Sequence, residues 1–340
     1  MLSKLFESLY NKVIVSIVLN RKSCSVYIEI CSKSTVVDSQ TKTFETATIN
    51  QEIIEFVSSY TKESPYSYYS VLDTSVDQGA IAACKKSELS YYKNLDSYEY
   101  KCFDEKWVCY TLKNDLYEMK QQYKDFGVDF IFSPISIIYN FFEDKVKSHF
   151  ALYVLVQDNF VSLSVFENSA LMFAQHLDMK TSSDEELSAS VIEVNSDLEE
   201  SIGIDLDDVD VIEEMEDMED LDDFGDIEDL DSLEEIDEFS ESQDIEEEFF
   251  EIDEPIVESD DDSVNEDYQR FTLIQKSLGD YYNDKHYSSN FIETIYIADG
   301  VGVSSDLKKY LEEEMFLNVY IRRLDIPMEI CSLAKGELGL

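Results

Sequence analysis

Residues 151–177 read ALYVLVQDNFVSLSVFENSALMFAQHL, and the punctuation of this stretch decides the class of fold. Two apolar runs, Phe150 to Val156 and Val161 to Phe166, flank Gln157-Asp158-Asn159. Asn168-Ser169 then makes a turn, and Leu171 to His176 is a third run. Runs of this length between turn residues are strands, and three in succession make a β-meander. Upstream, Lys106 to Thr111 reads as a strand, and Asn114 or Asp115 can cap a helix to about Asp125 with Leu116, Met119 and Tyr123 on one face. Gly127 ends it, Val128 to Phe132 is a strand, and Ser133-Pro134 opens a helix through Phe142. Strands and helices that alternate in this way predict an α/β architecture.

Further out, Val13 to Ile30 reads as two strands around a polar turn, Asn20 to Ser23. Ile53, Ile54 and Val57 give Ile49 to Tyr60 helical spacing, Ser58 to Tyr69 reads as a loop, and a short strand covers Ser70 to Leu72. On the C-terminal side a helix is predicted from Tyr268 to about Tyr282 and a strand from Thr294 to Ala298. Asp299-Gly300-Val301-Gly302 is a tight loop, Ser305 to Met315 a helix and Val319 to Leu324 a final strand.

Between these two blocks lies a different kind of chain. No lysine or arginine occurs between Lys180 and Arg270, and 39 of the 75 acidic residues fall between Asp184 and Asp262. The remaining 36 acids face 26 bases, so most of the formal net charge of -49 belongs to the tract. Nucleic acid is not expected as a partner and attraction to an anionic membrane surface is disfavoured, because both need clustered cations. Within the tract an apolar residue recurs every third position, through Met215, Met218, Leu221, Phe224, Ile227 and Leu230. Three helical steps of about 100° sweep about 300°, so no helix face stays apolar. The expectation is a disordered acidic insert whose apolar residues anchor on a basic partner.

The six cysteines, Cys24, Cys31, Cys84, Cys102, Cys109 and Cys331, show no CxxC. With His149, His176 and His286 they offer no zinc spacing, and reduced, partly buried thiols are expected. No Ser/His/Asp or Cys/His set and no Walker-type phosphate loop is present, so no catalytic residue and no metal site are assigned. Met1 to Lys12 lacks the apolar core of a signal peptide, and its Leu2, Leu5, Phe6 and Leu9 suit one face of a docking helix.

The order of elements resembles the actin-like ATPase fold, and within it the type IV pilus assembly protein PilM and the cytoplasmic part of the secretion protein GspL. LKNDLYEMKQQYKDFGVDFIFSPISIIYNFF (residues 112–142) is similar to the family's inserted subdomain. The quoted meander is similar to the opening of its second lobe, and IETIYIADGVGVSSDLKKYLEEEMFLNVYI (residues 292–321) to its adenosine-side glycine loop and final strand. The resemblance implies a two-lobed actin-like (RNase H-like) α/β fold with an inserted strand–helix subdomain. Residues 1–45 would begin the first lobe, 46–148 hold the insert and the return to that lobe, and 149–180 open the second lobe. Residues 181–265 would be the acidic insert and 266–340 the rest of the second lobe.

The same resemblance implies remnant nucleotide loops at Asn20, Asp158, Gly300 and Gly302. Family members that bind ATP carry an acid and a glycine in each phosphate turn, whereas Asn20-Arg21-Lys22-Ser23 and Gln157-Asp158-Asn159 contain no glycine. ATP with magnesium is therefore disfavoured as a cofactor, and a pseudo-ATPase scaffold is expected. Such a scaffold would be cytoplasmic and peripheral to the inner membrane. It would grip the short cytoplasmic tail of an inner-membrane protein in a pilus, secretion, DNA-uptake or flagellar machine, as part of a ring or arc of copies. The chain reaches Leu340 soon after its last strand, which favours the PilM arrangement over that of GspL, with its transmembrane helix. Two alternatives stand beside this reading: a divergent ATPase using Asp158, Gly300 and Gly302, and an acidic mimic that docks on a basic protein.

Overall fold

A computed structural model describes residues 10–62, 64–179, 261–283 and 290–340, with side chains after the acidic tract from Glu266 onward. The tract's apolar residues Met215, Met218, Leu221, Phe224, Ile227 and Leu230, and the amphipathic start, lie outside the described residues.

Strand β1 (Lys12–Leu19) pairs antiparallel with β2 (Cys24–Ser32), from Lys12↔Cys31 to Leu19↔Cys24. The turn between them closes where the Asn20 amide donates to the Ser23 carbonyl, 2.8 Å away. Next comes β3 (Thr35–Phe44), antiparallel to β2. It was not foreseen: TVVDSQTKTF is exposed along almost its whole length, so no buried alternation marks it. Helix α1 (Gln51–Thr61) crosses over, its first turn capped by Asn50 Oδ1 accepting from the Ile53 amide at 3.0 Å. It delivers the chain to β4 (Ser67–Leu72), parallel to β1, which begins three residues earlier than the sequence suggests.

The chain then leaves the sheet. β5 (Gln78–Ile81), helix α2 (Lys86–Tyr92), β6 (Tyr98–Phe103) and β7 (Trp107–Leu112) build a separate antiparallel sheet in the order β5-β7-β6. The inserted strand–helix subdomain is thus three strands with a short helix. Helix α3 (Lys113–Gln122) follows without a side-chain cap, so neither Asn114 nor Asp115 caps it. Gly127 turns the chain at φ +78, a conformation that suits glycine, and β8 (Phe130–Phe132) rejoins the first sheet parallel to β4. Residues 112–142, likened to the insert, therefore mostly serve the return to the first sheet.

Helices α4 (Pro134–Phe141), capped by Ser133, and α5 (Glu143–Val146) lead to the second sheet. β9 (Ala151–Val156), β10 (Phe160–Glu167) and β11 (Ala170–Asp178) form the expected meander. After helix α6 (Asp261–Asn283), β12 (Thr294–Asp299) lies parallel to β9, and after α7 (Ser305–Met315), β13 (Asn318–Arg323) lies parallel to β12. A last helix, α8 (Ile326–Leu338), was not foreseen; it returns to pack on β1, β2 and β4.

The first sheet runs β3-β2-β1-β4-β8 and the second β11-β10-β9-β12-β13. Each is an antiparallel three-strand meander followed by two parallel strands. This doubled order, with a subdomain inserted before the last strand of the first copy, is the two-lobed actin-like fold. Trp107 lies at the seam, fully buried, with ring centroids 4.5 Å from Phe103 of the insert, 5.3 Å from Tyr139 of α4 and 5.6 Å from Phe166 of the second sheet. The single tryptophan thus joins three bodies in one core.

The cysteines divide. Cys24, Cys31, Cys109 and Cys331 are free and buried, as expected. Cys84 and Cys102 are not reduced: they form a disulfide across the insert, with Cα atoms 5.7 Å apart. A spacing of 18 residues without a motif gave no sign of that pairing.

Candidate functional site

The fold brings Asn20, Asp158, Gly300 and Gly302 to one cleft of about 440 Å³, at the turns β1–β2 and β9–β10 and the loop after β12. They meet because the two sheets repeat one topology, which puts corresponding turns face to face. What they meet is mostly each other. Asp158 Oδ2 accepts from the Arg21 amide at 2.8 Å, across 137 residues of sequence. The Gln157 side-chain amide donates to Asn20 Oδ1 at 3.1 Å.

The glycine loop is filled in the same way. Asp299 is 3% exposed, and its Oδ1 accepts from the amides of Val301, Gly302 and Val303 at 3.0, 2.7 and 3.1 Å. Its Oδ2 accepts from Arg323 at 2.9 Å. Those three amides are satisfied by a carboxylate of the chain itself and are not open to a ligand. Both glycines have packing reasons to be there. A Cβ on Gly300 would lie 2.8 Å from Ile326 Cδ1, and Gly302 combines φ +91 with an Arg323 guanidinium 2.8 Å from where a Cβ would sit.

Sequence reasoning missed a second layer. Asp267 is 1% exposed; it accepts from Arg270 at 2.5 Å through Oδ1 and from the Ser304 amide at 2.7 Å through Oδ2. Glu266 accepts from Arg270 at 2.8 Å and lies 3.5 Å from the Arg21 guanidinium. The signal was present: Glu266 and Asp267 precede Arg270 by helical spacing, and Arg270 is the first base after the acidic tract. Asp158, Glu266 and Asp267 thus line the cleft beside Arg270. A nucleotide entering it would find Asp158 bonded to the Arg21 amide, the loop amides bonded to Asp299 and no glycine in either phosphate turn, so these residues as arranged do not fit ATP. Among the described residues no group of three or more His, Cys, Asp or Glu could hold a metal ion.

A second concavity, of about 370 Å³, separates the insert from the first sheet. One wall is β6, through Glu99, Tyr100, Lys101 and Phe103; the other is β8, through Phe130, Ile131 and Phe132. Each is the outermost strand of its sheet. At the floor, Asp73 accepts from Thr111 Oγ1 at 2.6 Å and Ser75 Oγ at 2.5 Å. Burial pushes its carboxyl above the usual range despite those bonds, and pushes the neighbouring Cys109 thiol up to about 12. Lys101 bridges to Glu337 of α8 across one end.

Residues 152–339, more than half of the chain, match the family described as a domain of unknown function, DUF8341. The chain belongs to the DUF8341 family. Residues 10–139 match a second description, domain of unknown function DUF8569. The DUF8341 match covers the second sheet from Leu152 onward with α6, α7 and all of α8, and the DUF8569 match the first sheet and the insert. No curated protein matches the chain. A Bacteroides thetaiotaomicron protein with an actin-like ATPase fold and unknown function is similar at 12% identity, over 94% of this chain and 95% of that one, with a TM-score of 0.46. The PilM–PilN type IV pilus biogenesis complex gives 8% identity, 93% and 89% coverage and a TM-score of 0.46. The ethanolamine utilization protein EutJ from Carboxydothermus hydrogenoformans gives 6% identity, 94% and 89% coverage and a TM-score of 0.39. In this DUF8341 protein, among the described residues, no helix is long and apolar enough to cross a membrane.

Proposed function

We propose that this protein is a non-enzymatic adaptor that holds an extended peptide in the groove between β6 and β8. The observation that carries the reading is the pair of outermost strands facing one groove. An outer strand offers a row of main-chain donors and acceptors, and a peptide laid between two of them gains register from both. Phe103, Leu116, Val128 and Phe130 supply apolar surface for its side chains. The self-bonded cleft supports the absence of nucleotide chemistry, since each oxygen of Asp299 is used inside the protein.

The resemblance in element order to PilM-like proteins suggests the occupant, the short cytoplasmic tail of an inner-membrane protein, and a place under the membrane as part of a ring or arc. The charge of the acidic tract would add attraction for a basic partner. That placement makes Cys84–Cys102 a bond in a reducing compartment, where disulfides are transient or redox-sensing. The competing reading, a divergent ATPase, rests on the convergence of Asn20, Asp158, Gly300 and Gly302 in one cleft.

A photo-reactive residue placed at Tyr100, which lines the groove and is 44% exposed, tests the adaptor reading in cells. The expected adduct is with the cytoplasmic tail of a membrane protein, and it disappears when Phe130→Arg blocks the groove. Absence of any adduct, or one indifferent to Phe130→Arg, would overturn the reading.

A further inference from the structure

We propose that β13 is a homotypic docking strand, through which two copies of this chain pair antiparallel about a two-fold axis near Tyr320. β13 is the outermost strand of the second sheet, with β12 on one side and, among the described residues, no strand on the other. Its burial differs from that of every other strand of the sheet: only Val319 is buried.

An aromatic ladder runs to this open edge. Tyr153, Tyr296 and Tyr320 lie in register on β9, β12 and β13. Successive ring centroids are 5.3 and 5.2 Å apart, with interplanar angles of 14° and 19°. The ladder starts at the fully buried Tyr153 and stops at Tyr320, 45% exposed. A further strand with an aromatic residue in register would continue the stack and cover that ring. Ile321 is also exposed, and Phe316 stands 83% exposed just before the strand, at φ +56.

Charge says which strand fits. Exposed Glu312, Glu313 and Glu314, at the negative end of α7, precede β13, and Arg322 and Arg323 end it. Antiparallel pairing of two such strands sets the acidic end of each beside the basic end of the other, whereas parallel pairing sets like against like. Both arginines are held in place: Arg322 lies 5.6 and 5.5 Å from the ring centroids of Phe141 and Phe142, and Arg323 bonds Asp299. The edge is therefore self-complementary in charge, and a two-fold axis at Tyr320 brings that ring against its own counterpart in the second copy. The net charge of -49 opposes association, so the pairing is weak and needs salt to screen the repulsion.

Sedimentation equilibrium of the full chain at physiological ionic strength tests the pairing, with hydrogen exchange read at several protein concentrations. A reversible monomer–dimer equilibrium is expected, with amides of residues 318–323 gaining protection as concentration rises. Tyr320→Lys sets like charges opposite each other and raises the dissociation constant about tenfold or more, whereas Tyr320→Phe keeps it within about threefold. Ile321→Lys, a second exposed position on the same edge, weakens the dimer as well and guards against one misfolded variant. A monomer at every concentration overturns the proposal, as do lysine variants that dimerise like the parent. Assembly through a head-to-tail contact of β13 on another strand, such as β3, overturns it too, because that contact is not two-fold.

Discussion

The amide of Gly302 donates to Asp299 Oδ1 at 2.7 Å, so the loop after β12 is held closed by the carboxylate that precedes it. Asp299 also accepts from Val301, Val303 and Arg323. Asp299→Ala would leave three amides and a guanidinium without their acceptor, and a loss of about 3 kcal/mol of stability is expected. Gly302→Ala, strained at φ +91 and crowded by Arg323, destabilises in the same direction by about 1–3 kcal/mol. Urea denaturation checks both. Unchanged midpoints would mean that the loop does not depend on these contacts.

The disulfide makes a separate prediction. Cys84–Cys102 closes a loop of 18 residues, which the chain-entropy account values at about 3 kcal/mol. Cys102→Ser is expected to lower stability by that order under oxidising conditions and to match the parent when a dithiol reductant is present. Mass spectrometry after thiol alkylation gives the redox state directly. Six alkylated cysteines in unreduced protein would show that the bond is not formed.

His176 sets a pH dependence. Burial pushes its ring down to about 4, against an unfolded value near 6.5. The unfolded chain therefore binds the extra proton first, and stability rises with pH between these values. The contribution is full above about pH 6.5 and is lost progressively as pH falls toward 4, by about 3 kcal/mol in all. His176→Gln should flatten the difference in denaturation midpoint between pH 7 and pH 5. An equal slope in both proteins would place the titration elsewhere.

What could be read in the sequence follows from burial. β1, β9 and β10 are buried almost throughout, and their apolar runs announce them. β3 and β6 are exposed on most positions, so polar letters hid them. α8 is signalled by the Asp325 cap, Pro327 in its first turn, the helical spacing of Ile326, Ile330, Cys331 and Ala334, and Gly339 at φ +67. In the cleft, Asn20, Asp158, Gly300 and Gly302 could be named because each sits in a turn. Their partners could not. Arg21 meets Asp158 across 137 residues and Asp267 meets Ser304 across 37, and spacing carries no trace of such contacts.

Calorimetric titration of Mg-ATP into the full chain tests the central claim most directly. The self-bonded cleft predicts no saturable heat at millimolar nucleotide. Saturable binding that is lost on Asp158→Ala would contradict it, and would make the cleft a working nucleotide site.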